Sequence, residues 1–179
     1  MAPTLHLDKI REVTQVSVGK AKQLMETCVW CLLSCKHSNG LSMRVVEGND
    51  HSYLVTWRDD EIDEDAIVRS YNKDDATEAG AEAIAFLVSI DRTPFTAVER
   101  AITTTGIDYW LGYKENPNNP FERAGRLEVS GILVENPTNK VSTRVTKKLK
   151  QTEPTDHTFP VHIIVVEFSE PYATMVLKP

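Results

Sequence analysis

The chain has 179 residues, of which 41% are hydrophobic and 26% are charged, and this composition predicts one soluble globular domain. The formal net charge of -6 excludes nucleic-acid binding through an overall positive field and leaves only a local basic patch for that role. No segment approaches the roughly 20 apolar residues that cross a bilayer, so the sequence predicts a cytoplasmic protein without membrane contact.

The first part of the chain predicts a helix followed by a hairpin. Apolar periodicity indicates one long helix over residues 7–36, with Gly40 in the turn that ends it. Two alternating segments, residues 41–47 and 52–58, flank a turn at residues 48–50 and predict a β-hairpin.

Three cysteines, Cys28, Cys31 and Cys35, lie within the predicted helix. Their spacing, followed by His37, is compatible with a metal or iron-sulfur site. However, positions i, i+3 and i+7 share one helix face, so small buried side chains explain the spacing without a metal. The odd number of closely spaced cysteines cannot form a full disulfide framework, which favours a reducing compartment.

A second helix is predicted over residues 74–92, with Pro94 just beyond its end. Its first turn, residues 75–78, has the form of a capping box, which would explain Glu78 structurally. The elements after it are a strand or short helix at 95–103, two strands that carry carboxylates, a basic helix, and strands at 161–168 and 172–177.

Two short apolar segments each contain one carboxylate, Asp108 in the first and Glu128 in the second. An unpaired buried charge costs several kcal/mol or is neutralised by a proton, so a shared divalent cation would make both carboxylates tolerable. Alternatively, Asp108 could cap a turn, and Glu128 could pair with Arg126 or Arg123 across the sheet. The metal-site interpretation points towards phosphodiester chemistry.

A basic helix is predicted after Asn136 and Pro137, which would be its N-cap and first helical residue. Its cations lie largely on one face and, with Arg123 and Arg126, form a concentrated positive surface. This surface predicts contact with the phosphates of DNA or RNA, and a solvated helix face is the alternative. The cations of the predicted helix are Lys140, Arg144, Lys147, Lys148 and Lys150, and the first four lie on that face.

The element order over residues 74–168 resembles the core of the PD-(D/E)XK, or restriction-endonuclease-like, nuclease superfamily. The similar parts are a helix with a carboxylate, a strand with Asp108, a strand with Glu128, a helix and a strand. The resemblance implies an α/β fold with a central mixed sheet flanked by helices. Residues 1–73 would then be an N-terminal helix and hairpin added to a nuclease-like core, residues 74–179, in a single domain.

The resemblance also implies that Glu78, Asp108 and Glu128 bind Mg²⁺ or Mn²⁺, with Glu82 as a second candidate on the same helix. The ion would lower the pKa of a bound water and stabilise charge on the scissile phosphate. The basic helix would contact the nucleic-acid backbone and contribute position more than sequence specificity.

Ser130 stands where the superfamily has a lysine, and serine carries no positive charge at neutral pH. Lys140 is the first candidate to replace that lysine, and Lys114 and Lys147 are further candidates. The catalytic residues that this interpretation predicts are Asp108, Glu128, Ser130 and Lys140.

Two functions are therefore expected from the sequence. The first is a metal-dependent nuclease, of the repair, restriction or mobile-element defence type that the resemblance implies. The second is a catalytically inactive module of the same fold that binds another protein, a second copy of the chain or a nucleic acid, and Ser130 and the negative charge favour it. The sequence contains no nucleophile elbow, P-loop or dinucleotide fingerprint, so those enzyme classes lack their local signatures.

Overall fold

A mixed β-sheet is the centre of the computed structural model, which describes residues 2–13 and 16–179, the side chain of residue 61 excepted. In the described residues the sheet has eight strands in the order β1-β3-β2-β8-β7-β6-β5-β4. The mixed sheet flanked by helices confirms the α/β class predicted from the sequence. The strands are β1 (Thr4–His6), β2 (Leu41–Glu47), β3 (Asn49–Thr56), β4 (Phe95–Arg100), β5 (Tyr109–Tyr113), β6 (Gly125–Ile132), β7 (Val161–Glu167) and β8 (Tyr172–Lys178).

Helices cover both faces of this sheet. Two of them, α1 and α3, pack their apolar residues on one face and form the larger core, whereas α4 covers the opposite face over β6, β7 and β8. None of the helices in the described residues is both long and apolar enough to cross a membrane. The α-helices of the described chain are α1 (Val18–Ser34), α2 (Glu64–Ser70), α3 (Lys73–Arg92) and α4 (Val141–Gln151).

Strand pairing leaves a gap between β5 and β6. Strands β4, β5 and β6 form an antiparallel meander, and β6 then pairs in parallel with β7 through the crossover helix α4. The register joins β5 to β6 only from Leu111 opposite Gly125 to Tyr109 opposite Leu127. The second half of β6 therefore runs on without β5 beside it.

The predicted hairpin is present and belongs to the same sheet. Strands β2 and β3 pair in antiparallel fashion around Gly48, whose φ of 70° is in the left-handed region that favours glycine. Strand β2 also pairs in parallel with β8, with Arg44 opposite Tyr172. The N-terminal part of the chain thus extends the sheet that contains the candidate site.

Helix α1 begins later than the sequence predicted. The predicted span, residues 7–36, starts with a 3-10 turn at Leu7–Glu12, and residues 14 and 15 of that span lie outside the described residues. The Ser17 hydroxyl accepts a hydrogen bond from the Lys20 N–H at 3.2 Å and so caps the helix. A serine cap starts a helix here because the first N–H groups have no partner within the helix.

Helix α1 also ends before the predicted Gly40. Lys36 adopts a left-handed conformation with a φ of 65°, and its N–H and the following one donate to carbonyls of the last turn at 2.8 and 2.9 Å. These bonds make a Schellman motif without glycine. Gly40 instead belongs to the hairpin, where its N–H donates to the Val55 carbonyl at 3.0 Å.

The cysteines of α1 face α3 and the end of the sheet. Cys28 and Cys31 are buried free thiols, and Cys31 Sγ donates to the Ala76 carbonyl at 3.3 Å. Helix α3 approaches closely because Gly80 faces Cys28, where an added Cβ would lie 3.1 Å from the Cys28 Cα. Burial raises the pKa of both buried thiols, so neither is a thiolate at neutral pH.

The capping box predicted at residues 75–78 was wrong. Asn72 caps α3, and its Oδ1 accepts hydrogen bonds from the Asp74 and Asp75 N–H groups at 3.1 and 3.0 Å. Glu78 therefore has no capping role and is an exposed residue within the helix.

Helix α4 begins at Val141, so the N-cap predicted at Asn136 was also wrong. The Asn136 side chain accepts two hydrogen bonds at 3.0 Å from N–H groups of its own turn. The Glu135 carboxylate accepts the hydrogen bond of the Val141 N–H at 2.5 Å. Lys140 consequently precedes the first helical residue.

Candidate functional site

Asp108 lies where β5 and β6 separate. Its Oδ2 accepts a hydrogen bond from the Val129 N–H at 2.9 Å, while its own N–H donates to the Leu127 carbonyl at 3.0 Å. The other carboxylate oxygen, Oδ1, lies 3.8 Å from Arg100 Nη2. The Asp108 carboxylate thus adds one hydrogen bond to β6 beyond the last paired residue of β5. The Val129 N–H and Arg100 approach it from two sides.

Glu128 is in the middle of β6 and its side chain is buried, with a residue exposure of 0%. Its Oε1 contacts Lys148 Nζ and accepts a hydrogen bond from Gln151 Nε2 at 2.8 Å, both from α4. Its Oε2 is buried and has no hydrogen-bond partner among the described residues. Burial of Oε2 without a donor costs free energy, and either a proton shared with Asp108 or a bound cation would offset that cost.

The two carboxylates lie close enough for the charge of Asp108 to act on Glu128. Burial and then the charge of Asp108 raise the pKa of Glu128 from 4.5 to about 7, against the opposing effect of Lys148. Two carboxylates in one site favour a proton or a cation between them. Glu128 therefore changes charge near neutral pH, within the range in which a metal would compete with a proton.

Arg126 does not pair with Glu128 and does not belong to the predicted positive surface. Its side chain is fully buried, and the guanidinium donates to the Phe159 carbonyl at 2.5 Å and to Thr155 Oγ1 at 2.7 Å. Asp156 completes the set as an ion-pair partner at 3.3 Å. Arg126 therefore joins β6 to the segment after α4 and cannot reach a nucleic acid.

Lys148 is the cation that contacts Glu128. Lys140, the first candidate from the sequence, lies before α4 and borders a separate depression near β8. Lys147 is exposed, and Lys114 donates to a backbone carbonyl at the end of α3 at 2.7 Å. Residues 144, 148 and 151 share one side of α4, and their contacts with Ser130 and Glu128 show that this side faces β6.

Ser130 lies two residues after Glu128 and points to the same face of β6. Its hydroxyl accepts a hydrogen bond from Arg144 Nη1 at 3.0 Å, and Arg144 Nε donates to Asn139 Oδ1 at 2.8 Å. The guanidinium of Arg144, from α4, therefore lies beside Ser130.

A cleft of about 350 Å³ opens beside these residues at the carboxyl end of β6. The first turns of α3, the segment after β6 and the inward face of α4 form its walls. Glu78 lies at its rim on α3, and in residues 2–13 and 16–179 no three His, Cys, Asp or Glu side chains converge as a metal-binding group. The carboxylates that the structure brings together are therefore Asp108 and Glu128, without Glu78.

Glu82, the second helical candidate, is buried in a different cleft. It accepts hydrogen bonds from Arg100 Nη1 at 2.6 Å and from the Tyr109 hydroxyl at 2.8 Å. Arg100 also lies beside Asp108. Glu82 is thus connected to the carboxylate pair through an arginine and shares no ligand position with it.

Comparison of the sequence with protein-family models gives no match, and none of the curated proteins matches it either. The function is therefore inferred from the residues of the site. The structure brings together Asp108, Glu128 and Ser130 from the set predicted as catalytic, and it adds Lys148 and Arg144 in place of Lys140.

Proposed function

We propose that the protein is a divalent-metal-dependent nuclease whose site consists of Asp108, Glu128 and Lys148. The supporting observation is the buried, unpartnered Oε2 of Glu128 beside Asp108, at the point where β5 and β6 separate. The elements α3, β5, β6, α4 and β7 also follow one another in the order that the resemblance to the PD-(D/E)XK superfamily implies, with β4 as an additional strand after α3. Both observations support the same site.

The donor set fits Mg²⁺ or Mn²⁺, because hard cations prefer carboxylate oxygens and complete their shell with water. Asp108 Oδ1 and Glu128 Oε2 would supply those oxygens. When bound, the ion would lower the pKa of a water ligand and stabilise negative charge on the scissile phosphate.

The surrounding residues hold this pair in position. The Val129 N–H and Arg100 orient Asp108, and Gln151 orients Glu128 by a hydrogen bond to Oε1. Such supporting hydrogen bonds fix the direction in which ligand oxygens point. Lys148, whose ammonium contacts Glu128 Oε1, is the cation beside the pair and would donate to the attacking water or to a phosphate oxygen.

Calorimetric titration with Mn²⁺ tests the metal site on the wild type and on Glu128→Gln, with Glu99→Gln as a control at an exposed carboxylate. We expect saturable binding that is lost in Glu128→Gln and kept in Glu99→Gln. Affinity should increase between about pH 6 and 8, because the metal competes with the proton on Glu128. If the wild type does not bind Mn²⁺ at millimolar concentration, both the metal site and the nuclease proposal are wrong.

A catalytically inactive module is the second candidate, and one observation favours it. Lys148 already compensates the charge of Glu128, and within the described residues no third carboxylate joins the pair. The same protein would then bind nucleic acid or another protein without cleaving it. Metal-dependent cleavage of mixed single- and double-stranded DNA and RNA, lost in Glu128→Gln, would exclude this candidate.

A further inference from the structure

Arg144 is a half-buried cation that is held by neutral groups. Asn139 Oδ1 and Ser130 Oγ accept its two hydrogen bonds, at 2.8 and 3.0 Å, and no carboxylate in the described residues pairs with it. Other arginines of the fold have carboxylate partners, namely Arg92 with Glu47, Arg100 with Glu82, Arg123 with Glu99 and Arg126 with Asp156. The guanidinium of Arg144 is therefore held in place by hydrogen bonds and has no ion-pair partner among the described residues.

The free edge of this guanidinium is suited to an anion. Its Nε and Nη1 are engaged by the two anchors, which leaves Nη2 and the second hydrogen of Nη1 to donate. A planar guanidinium matches phosphate oxygens with two parallel hydrogen bonds. Arg144 lines the cleft beside β6 together with Lys73 and Lys148 and with the carboxylates Asp74 and Glu78. Lys148 contacts Glu128, so Arg144 is the cation of α4 in this cleft whose hydrogen bonds go to neutral groups.

The size of the cleft restricts what enters it. Its volume of about 350 Å³ is at the low end of small-molecule sites, which admits a group the size of one nucleotide and excludes a duplex. A terminal phosphate monoester carries a charge of about -1.5 to -2 at pH 7, more than the single charge of an internal diester. An arginine without an ion-pair partner in a small cleft therefore favours the more highly charged terminal group.

We propose that this cleft binds the phosphorylated end of a nucleic-acid strand, with Arg144 as the residue that binds the terminal phosphate. Since this rests on the proposed function, Asp108 and Glu128 would act on a linkage close to that end. Ser130 is then a positioning residue, because its hydroxyl holds Arg144 towards the cleft.

Binding in EDTA tests the phosphate site without requiring cleavage. Fluorescence anisotropy compares short labelled single strands that carry a 5′-phosphate, a 3′-phosphate or hydroxyls at both ends, with a mononucleotide as competitor. We expect one phosphorylated strand to bind on the order of tenfold more tightly than the hydroxyl strand. Arg144→Gln should abolish the difference and Ser130→Ala should reduce it, while Arg69→Gln, at an exposed arginine of α2, should keep it.

Thermal unfolding of each variant shows whether it is folded. Equal binding of the three strands by the wild type, or a preference that persists in folded Arg144→Gln, would overturn the phosphate site. If a mononucleotide binds as tightly as the phosphorylated strand, the ligand of the cleft is not a nucleic-acid strand. If the protein prefers a phosphorylated end but shows no metal-dependent cleavage, the phosphate site is supported and the nuclease proposal is wrong. If it cleaves nucleic acid without preferring a phosphorylated end, the nuclease proposal is supported and the phosphate site is wrong.

Discussion

Glu128 must lose its proton to bind a cation, yet its position in β6 favours the protonated carboxyl. Burial and the neighbouring Asp108 both raise its pKa, and Lys148 compensates only in part. A divalent cation binds the ionised form and reverses this preference. Metal binding and the protonation of Glu128 are therefore coupled, so we expect a proton to be released when the metal binds near neutral pH.

The same coupling predicts how the stability of the metal-free protein depends on pH. The pKa of Glu128 is raised from 4.5 to about 7, so the folded state holds this proton more tightly than the unfolded state. The resulting stabilisation is fully present below pH 4.5 and is lost as the pH rises through 7, by about 3 kcal/mol. Urea unfolding of the wild type and of Glu128→Gln as a function of pH measures this loss. If the difference in unfolding free energy between wild type and variant does not fall between pH 4.5 and about 7, the prediction is wrong.

The contact between β6 and α4 shows why the carboxylates could be predicted and their cation could not. A carboxylate within an apolar segment is visible in the sequence because burial of a charge is costly, and this identified Asp108 and Glu128. Residues 144, 148 and 151 share a helix face wherever the helix begins, but the face that turns towards β6 is set by packing across the sheet. That packing has no local signal in the sequence, so Lys140 was the expected cation and Lys148 was not recognised as the partner of Glu128.

The contact between α3 and β6 depends on Gly131. An added Cβ there would overlap the Thr77 carbonyl oxygen and lie 2.9 Å from the carbonyl carbon, so α3 would have to move away from the strand. We expect Gly131→Ala to lower the free energy of unfolding by about 1–3 kcal/mol, the typical cost of overpacking. Gly19→Ala is the matched control, since nothing lies within 4 Å of its added Cβ and alanine favours the helix. Denaturant unfolding compares the two, and equal effects would show that the helix does not rest on Gly131.

Across the molecule, the sheet joins segments that are far apart in sequence. The local signals of the hairpin and of the last two strands were clear, because alternation and turn residues act over a few positions. The parallel pairing of β2 with β8, which puts Arg44 opposite Tyr172, has no comparable local signal. The sequence therefore predicted the hairpin as an addition to the core, whereas its strands and those of the core form one continuous sheet.

This continuity predicts that the second part of the chain, from α3 to β8, does not fold alone. In a fragment of residues 72–179, which keeps the Asn72 cap, α3 would lose α1 from its apolar face and β8 would lose β2 from its edge. Exposed apolar surface and an unpaired strand edge both disfavour the isolated fold. We expect the fragment to show no cooperative thermal transition by circular dichroism, in contrast to the full chain, and to regain one when mixed with a fragment of residues 1–71. A cooperative transition of the fragment alone, near that of the full chain, would mean that the first part is an independent addition after all.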